Sequence, residues 1–122
     1  MNFSLHYDAE MDIIRGCVWG ALDLEGVRNM AGAVGTLAAR TGCRKLLNDL
    51  RDATITASTM EIYMLPRVVE GEGLSLGVKR ALLVRYSPEE FRFLETVFIN
   101  NGQQVCLFRE EHDAMRWLLE TP

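Results

Sequence analysis

The sequence predicts a single α/β domain with the element order β-β-α-β-α-β-α-β-α. Three observations predict it. Short segments rich in Val, Ile and Leu have the apolar patterning of strands. Most of the segments between them carry apolar residues every three or four positions, which is typical of amphipathic helices. A chain of 122 residues, 48% of them hydrophobic, has the usual size for one domain with its own core, so we assign residues 1–122 to one domain.

The first two strands are predicted to form an antiparallel pair. Phe3, Leu5 and Tyr7 alternate with polar residues, which predicts a half-buried strand over residues 3–7. A second strand is predicted over residues 13–22, after a tight turn at residues 9–10. Strands joined by so short a link pair with each other in opposite directions.

Asp23 and Gly42 mark the ends of the first predicted helix. The Asp23 carboxylate can accept hydrogen bonds from the free amides at a helix start, and Gly42 can adopt the left-handed conformation that ends a helix. The apolar face between them consists of Leu24, Val27, Ala31, Val34 and Ala38. Leu46, Leu47 and Leu50 then predict a third strand, and its nearly continuous apolar character favours a position inside the sheet.

The second helix is predicted to begin at Ser58 or Thr59, either of which can cap it. Pro66 can kink this helix because proline has no backbone N–H to donate to the preceding turn. Three glycines within residues 71–77 predict a loosened connection. Residues 81–84 then predict a short, buried fourth strand.

Ser87 and Glu90 predict a capping box at the start of the third helix, with Pro88 at the first helical position. A fifth strand is predicted over residues 104–108 and a final helix over residues 110–120. The inward faces of these two helices are Phe91, Leu94, Val97 and Phe98 in the third and Ala114, Trp117 and Leu118 in the last. Because helices separate the later strands, we expect those strands to be parallel.

Composition and charge exclude several classes of function. The net charge of −4 argues against nucleic acid, because phosphate binding needs a dense basic surface and the basic residues here are scattered. The three cysteines and two histidines show no metal-ligand spacing, so we expect no metal and no cofactor. The cysteines lie in or beside apolar runs, which suits reduced thiols in a reducing compartment. Without a signal-peptide pattern or an apolar stretch that could span a bilayer, we expect a cytoplasmic protein.

Asp49 and Arg51, together with Asp52, are the first candidates for ligand contacts. They are predicted to come directly after an inner strand, and open α/β sheets place ligand crevices at the carboxyl ends of their strands. The alternative is that Arg51 and an aspartate pair with each other and hold the loop in place.

Met60, Tyr63 and Met64 are the second group of candidates. Together with Leu65 they form an apolar group on the second helix, and most of it is expected to belong to the core. Faces rich in methionine also adapt to ligands, so the alternative is a binding pocket lined by these side chains.

Five segments carry a resemblance to known proteins: LNDLRD at 47–52, RALLV at 80–84, FRFLET at 91–96, VCLFR at 105–109 and AMRWL at 114–118. They resemble the STAS/SpoIIAA-like superfamily of small bacterial domains, and the resemblance covers nearly the whole chain in element order. It implies a mixed β-sheet flanked by helices, similar to bacterial anti-sigma-factor antagonists and distantly similar to lipid-carrying CRAL-TRIO domains.

The same resemblance makes Ser58 a candidate phosphorylation site. The antagonists carry an Asp-Ser-Ser-Gly signature at the start of the second helix, and a kinase modifies its first serine. This chain has Ala57-Ser58-Thr59-Met60 there, so the serine is kept while the aspartate and the small last residue are not. A phosphate at that position would be stabilised by free helix amides. The alternative role for Ser58 is that of a helix cap.

The sequence as a whole predicts a non-enzymatic binding or regulatory domain, since nothing in it selects a nucleophile with a base and an orienting group. Our leading hypothesis is an apolar or lipid-like ligand, or a peripheral membrane contact, held near the second helix by Met60, Tyr63 and Met64. The alternative is a protein-interaction switch of the antagonist type that acts through Ser58. A homodimer is expected on the general ground that symmetric pairs are the commonest assembly.

Overall fold

A computed structural model describes residues 1–74 and 77–120 of the chain. The predicted element order is confirmed. Residues 75–76, within the predicted glycine-containing connection, lie outside the described residues. The elements are β1 (Asn2–Asp8), β2 (Ile13–Leu22), α1 (Leu24–Thr41), β3 (Lys45–Ile55), α2 (Thr59–Gly71), β4 (Lys79–Leu83), α3 (Glu89–Asn100), β5 (Val105–Phe108) and α4 (Glu111–Leu119).

The strands of the described residues form one five-stranded sheet in the order β1-β2-β3-β4-β5. β1 and β2 are antiparallel, with Asn2 opposite Trp19 and Asp8 opposite Ile13, as their short link predicts. All other neighbouring strands are parallel, which the helices between them allow. The predicted inner position of β3 is confirmed, because β3 lies at the centre of the sheet.

The helices cover the two faces of the sheet unequally. α1, α2 and α3 pack side by side over one face, where Val34, Leu65 and Leu94 join the main core. α4 packs on the opposite face over β3, β4 and β5, and it contributes Ala114 and Leu118 to a second, smaller core. Most side chains of β1 and β2 on that second face are therefore exposed or half-buried.

The predicted ends of α1 are confirmed. The Asp23 carboxylate accepts a hydrogen bond from the amide of Gly26 at 2.7 Å, and Gly42 ends the helix with a φ of 75°. A φ in this region is strained for residues with a side chain, which is why glycine suits the position.

The capping box predicted at the start of α3 is wrong. Pro88 is the N-cap, with φ −65° and ψ 163°, and this helix start has no side-chain cap hydrogen bond. The carbonyl of Pro88 accepts hydrogen bonds from the amides of Phe91 and Arg92 at 3.1 and 3.2 Å. The helix therefore begins at Glu89, one residue later than predicted. The extended ψ of Pro88 leaves Ser87 outside the cap position, so its hydroxyl makes no cap bond.

β3 is longer than predicted, and its length corrects the placement of Asp49, Arg51 and Asp52. The strand continues to Ile55 because it stays paired with β2, with Leu22 opposite Ile55. The register of this pairing shifts between Cys17 and Trp19 of β2, which lie opposite Asp49 and Asp52. The three charged residues consequently lie within β3 and not in a loop after it.

Candidate functional site

Met60, Tyr63 and Met64 form an exposed apolar surface on α2, which we call the outer face. Their exposed fractions are 69%, 67% and 47%. Spacings of three and four residues place them on one side of the helix. The expectation that this group belongs mostly to the core is therefore wrong, although its fourth member, Leu65, is only 1% exposed.

The opposite side of α2, which we call the inner face, explains the error. Ile62, Leu65 and Val69 also recur at spacings of three and four, and all three are buried. The helix thus carries two apolar stripes, and only one of them can face the sheet. The stripe of branched aliphatic residues is buried, while the stripe of methionine and tyrosine remains in solvent.

Ser58 caps α2 directly beside the outer face. Its hydroxyl accepts a hydrogen bond from the amide of Glu61 at 3.2 Å, and the Glu61 carboxylate accepts one from the amide of Ser58 at 2.9 Å. The two bonds form a capping box, so the predicted role of Ser58 as a cap is confirmed. Ser58, Thr59 and Met60 are all exposed, so the helix start and the outer face form one continuous surface.

Asp49 and Arg51 form a bidentate ion pair on β3. The Arg51 guanidinium donates from Nε and Nη2 to the two carboxylate oxygens at 3.0 and 2.8 Å, and the Arg51 amide donates to Oδ1 at 3.0 Å. The hydrogen bond from the Arg51 side chain is the largest cause of the lowered pKa of Asp49. The ion pair between Arg51 and an aspartate, which was the alternative to a ligand contact, is thus present. A contact between these residues and a ligand stays a prediction.

A crevice of about 430 Å³ opens at the carboxyl ends of β3 and β4. Within it, Arg85 donates hydrogen bonds to the Asp52 carboxylate at 2.9 Å and to the carbonyl of Arg51 at 3.4 Å. Tyr86, which is 62% exposed, also lines the crevice. Sequence reasoning expected a crevice at the end of β3 but missed Arg85 and Tyr86. Both closely follow β4 in the sequence. Because the carboxyl ends of parallel strands lie at the same edge of a sheet, their position after β4 was the signal that could have found them.

The structure does not bring the two predicted groups of ligand contacts together. Asp49 shares a shallow cavity with Leu47 and with Glu111 of α4, on the face of the sheet that α4 partly covers. α2 packs with α1 and α3 on the opposite face. A ligand on the outer face of α2 would therefore be out of reach of Asp49.

The shallow cavity on the open face has a volume of about 250 Å³ and includes His6 and Cys17. Burial is the largest cause of the raised pKa of the Cys17 thiol, and the negative charges of Asp49 and Asp52 add to it. A thiol with a raised pKa is protonated at neutral pH and is a poor nucleophile. Cys17 is therefore not an activated nucleophile.

A cavity of about 80 Å³ lies inside the main core and is lined by apolar side chains together with Asn48 and Arg80. Burial lowers the pKa of Arg80 to about 10, so its guanidinium, which donates to Gln103, stays charged at neutral pH. Arg80 Nε and Asn48 Oδ1 lack hydrogen-bond partners among the described residues, and ordered water is the usual partner of such atoms. Small-molecule sites measure about 300–1,000 Å³, so this cavity is too small for a lipid.

Residues 1–74 and 77–120 contain no group of three or more His, Cys, Asp or Glu side chains that could hold a metal ion. None of the helices in these residues is long and apolar enough to cross a membrane.

No protein-family model matches the chain, and no curated protein matches it. Several solved structures do. One is an uncharacterised protein of the DUF3478 family from Shewanella loihica, with a SpoIIAA-like fold; it is 16% identical, with a TM-score of 0.62 over 95% of this chain and 93% of its own. An anti-sigma factor antagonist from Mycobacterium paratuberculosis is 14% identical, with a TM-score of 0.62 over 98% and 96% of the two chains. The Bacillus cell fate determinant SpoIIAA in its phosphorylated form is 16% identical, with a TM-score of 0.55 over 95% and 99%.

This chain has a SpoIIAA-like fold. The likeness covers nearly the full length of each protein, so it confirms the fold that the five sequence segments implied. In this fold, Ser58 stands at the exposed start of α2 and the outer face follows it.

Proposed function

We propose that this SpoIIAA-like domain is a non-enzymatic regulatory domain that binds another protein through the outer face of α2. The observation that carries the proposal is the exposure of Met60, Tyr63 and Met64 on one side of a helix whose other side is buried. Large apolar side chains that are grouped in solvent are typical of interaction sites.

The chemistry of the outer face suits a protein partner. Tyrosine is enriched among the residues that dominate binding energy, and methionine adapts its shape to an apolar partner surface. Arg67 is exposed one turn beyond Tyr63 and Met64, and Ser58 and Glu61 lie at the other end. An apolar centre with a polar rim is the usual anatomy of a protein interface.

The names of similar structures support the same class of partner. The protein from Mycobacterium paratuberculosis and SpoIIAA, whose unphosphorylated form is also 14% identical to this chain, are both called anti-sigma factor antagonists, a name that describes action on another protein. At 14% identity these names support a protein as the partner, without supporting which protein it is.

Ser58 is the point at which we expect this surface to be regulated, by phosphorylation. One similar structure is SpoIIAA in a phosphorylated form, and Ser58 is exposed at a helix start whose amides stabilise anions. A phosphate there would face the Glu61 carboxylate, which lies 2.9 Å from the Ser58 amide. The capping box would open, and new negative charge would stand beside Met60 and change the affinity for the partner.

The hypothesis of an apolar ligand or a membrane contact concerns the same surface. A protein partner is favoured because the outer face is the exposed side of a helix, whereas small-molecule sites are concave. The net charge of −4 also opposes binding to anionic vesicles.

Site-specific photo-crosslinking tests the proposal. A benzophenone amino acid in place of Tyr63 is expected to capture a protein in the cells that make this chain, whereas the same amino acid in place of Ile99 is not. Ile99 is a matched control, because it is an apolar side chain on α3 and is 52% exposed. The captured protein is then purified so that its affinity can be measured.

With the purified partner, Tyr63→Ser is expected to weaken binding about tenfold or more, and Ile99→Ser to change it by less than roughly twofold. A partner kinase is expected to label the wild type but not Ser58→Ala. Equal capture from positions 63 and 99, or equal losses in the two serine variants, would contradict the proposal. Binding of fatty acids or phosphatidylglycerol vesicles that Tyr63→Ser abolishes, without any captured protein, would favour the ligand hypothesis instead.

A further inference from the structure

β1 is an edge strand with one open side. Its residues Asn2–Asp8 pair with β2, and the order of the described strands places none on the other side. About half of the backbone N–H and C=O groups of an edge strand point away from its sheet. Such a row of groups is a template on which another strand can add.

This edge lacks the usual protection against strand addition. Natural edge strands are kept short, carry charged side chains, especially lysine, or proline, or are twisted away by a bulge. β1 has seven residues and contains neither lysine nor proline. Its one carboxylate, Asp8, lies at the end of the strand, and β1 pairs with β2 in a continuous register. β5, at the opposite edge, has only four residues. Of the two edges, β1 is therefore the one suited to pairing.

The apolar residues of β1 are self-complementary about Leu5, its central residue. If a second copy of β1 lies antiparallel to the first in full overlap, Leu5 faces Leu5, and Phe3 faces Tyr7 twice. All three side chains are partly buried against the main core, so they lie on the same face of the sheet. Aromatic and aliphatic cross-strand pairs of this kind stabilise sheets.

The polar residues of β1 fit the same arrangement. On the other face of the sheet, Ser4 would lie opposite His6 and Asn2 opposite Asp8. No two like charges would face each other, so the strand presents no electrostatic obstacle to its own copy.

We propose that two copies of this chain associate by antiparallel pairing of β1 with β1 about a two-fold axis at Leu5. The five strands of each copy then form one continuous sheet. The occupant of the edge is a second copy because pairing of identical strands is isologous and closes after two chains. The helix α2 packs with α1 and α3, and the proposed interface at β1 is separate from the outer face of α2. The inference therefore does not depend on the proposed function.

Charge substitutions at two positions of β1 test the interface and its register. Sedimentation is expected to give twice the chain mass for the wild type. Ser4→Glu combined with His6→Glu places like charges opposite each other at both pairs, and we expect at least about tenfold weaker association. Ser4→Lys with His6→Glu, and the reverse combination Ser4→Glu with His6→Lys, place opposite charges there and are expected to restore the dimer.

Both substituted side chains are exposed, so circular dichroism is expected to report an unchanged fold for every variant. In a register shifted so that Ser4 faced Ser4, neither opposite-charge combination would restore association, because position 4 would face its own charge. A monomeric wild type, or a dimer that Ser4→Glu with His6→Glu leaves intact, overturns the proposal. Tyr63→Ser is expected to leave the dimer unchanged, which separates this test from that of the outer face.

Discussion

The inner and outer faces of α2 are built from the same kind of sequence pattern. Each carries three large apolar residues at spacings of three and four, yet the inner residues are buried and the outer ones are 47–69% exposed. The inner face carries branched aliphatic side chains, which fill a sheet-facing core, and the outer face carries methionine and tyrosine. Apolar periodicity therefore identifies a helix but does not say which stripe faces the core when there are two.

The largest expected difference in stability between the two faces comes from truncating one residue on each. Leu65→Ala is expected to lower the free energy of unfolding by about 2–5 kcal/mol, because it leaves a cavity in a site where the side chain is 1% exposed. Tyr63→Ala is expected to change it by less than about 0.5 kcal/mol, because its side chain is 67% exposed. Urea unfolding measures both. Similar losses for the two variants would mean that the outer face also supports the fold.

The two Ser-x-x-Glu segments extend the comparison to helix starts. Ser58→Ala is expected to lower the free energy of unfolding by about 1 kcal/mol, because it removes the bond between its hydroxyl and the Glu61 amide. Ser87→Ala is expected to have an effect below about 0.5 kcal/mol, since α3 has no side-chain cap bond. Ser58→Asp is expected to retain most of the stability, because aspartate also caps helices. Equal losses at both serines in thermal or urea unfolding would show that α3 is capped after all.

The smallest expected effect concerns the polar pair on the opposite side of the sheet. Asp49→Asn is expected to lower the free energy of unfolding by about 0.2–1 kcal/mol at neutral pH, because the ion pair with Arg51 is partly exposed. The pKa of Asp49 is lowered in the folded state, so the stabilisation is complete above the unfolded value, about 3.9, and is lost as the pH falls through the folded value. Urea unfolding of both proteins over a pH series is therefore expected to show a difference that shrinks in acid. A difference that stays constant with pH would mean that Asp49 acts through packing and not through its charge.

The fold was largely predictable because its signals are local. The short link between β1 and β2 predicted their antiparallel pairing, and helices between the later strands predicted parallel ones. Asp23 and Ser58 each cap a helix start by accepting a hydrogen bond from an amide three residues away. Gly42 ends a helix through its own backbone conformation. The start of α3 was mispredicted because proline is common at the first helical position, whereas Pro88 stands at the N-cap of this helix.

The site was less predictable because it depends on contacts between distant segments. The outer face of α2 became visible only when the sheet and the neighbouring helices had selected the inner face for the core. Asp49 and Arg51 were placed in a loop because the pairing that extends β3 to Ile55 is made with β2, more than thirty residues away in the chain. Arg85 and Tyr86 join the crevice only because β4 lies beside β3.

The class of the fold, the order of its elements and most helix ends follow from the amino-acid sequence, since hydrophobic period and capping chemistry act over one or two turns. Three features depend on how the elements pack together: which stripe of α2 is exposed, the place of Asp49 on the far side of the sheet from that stripe, and the place of β1 at an open edge. Burial depends on how the elements pack, because the residues that cover a side chain come mostly from other segments of the chain.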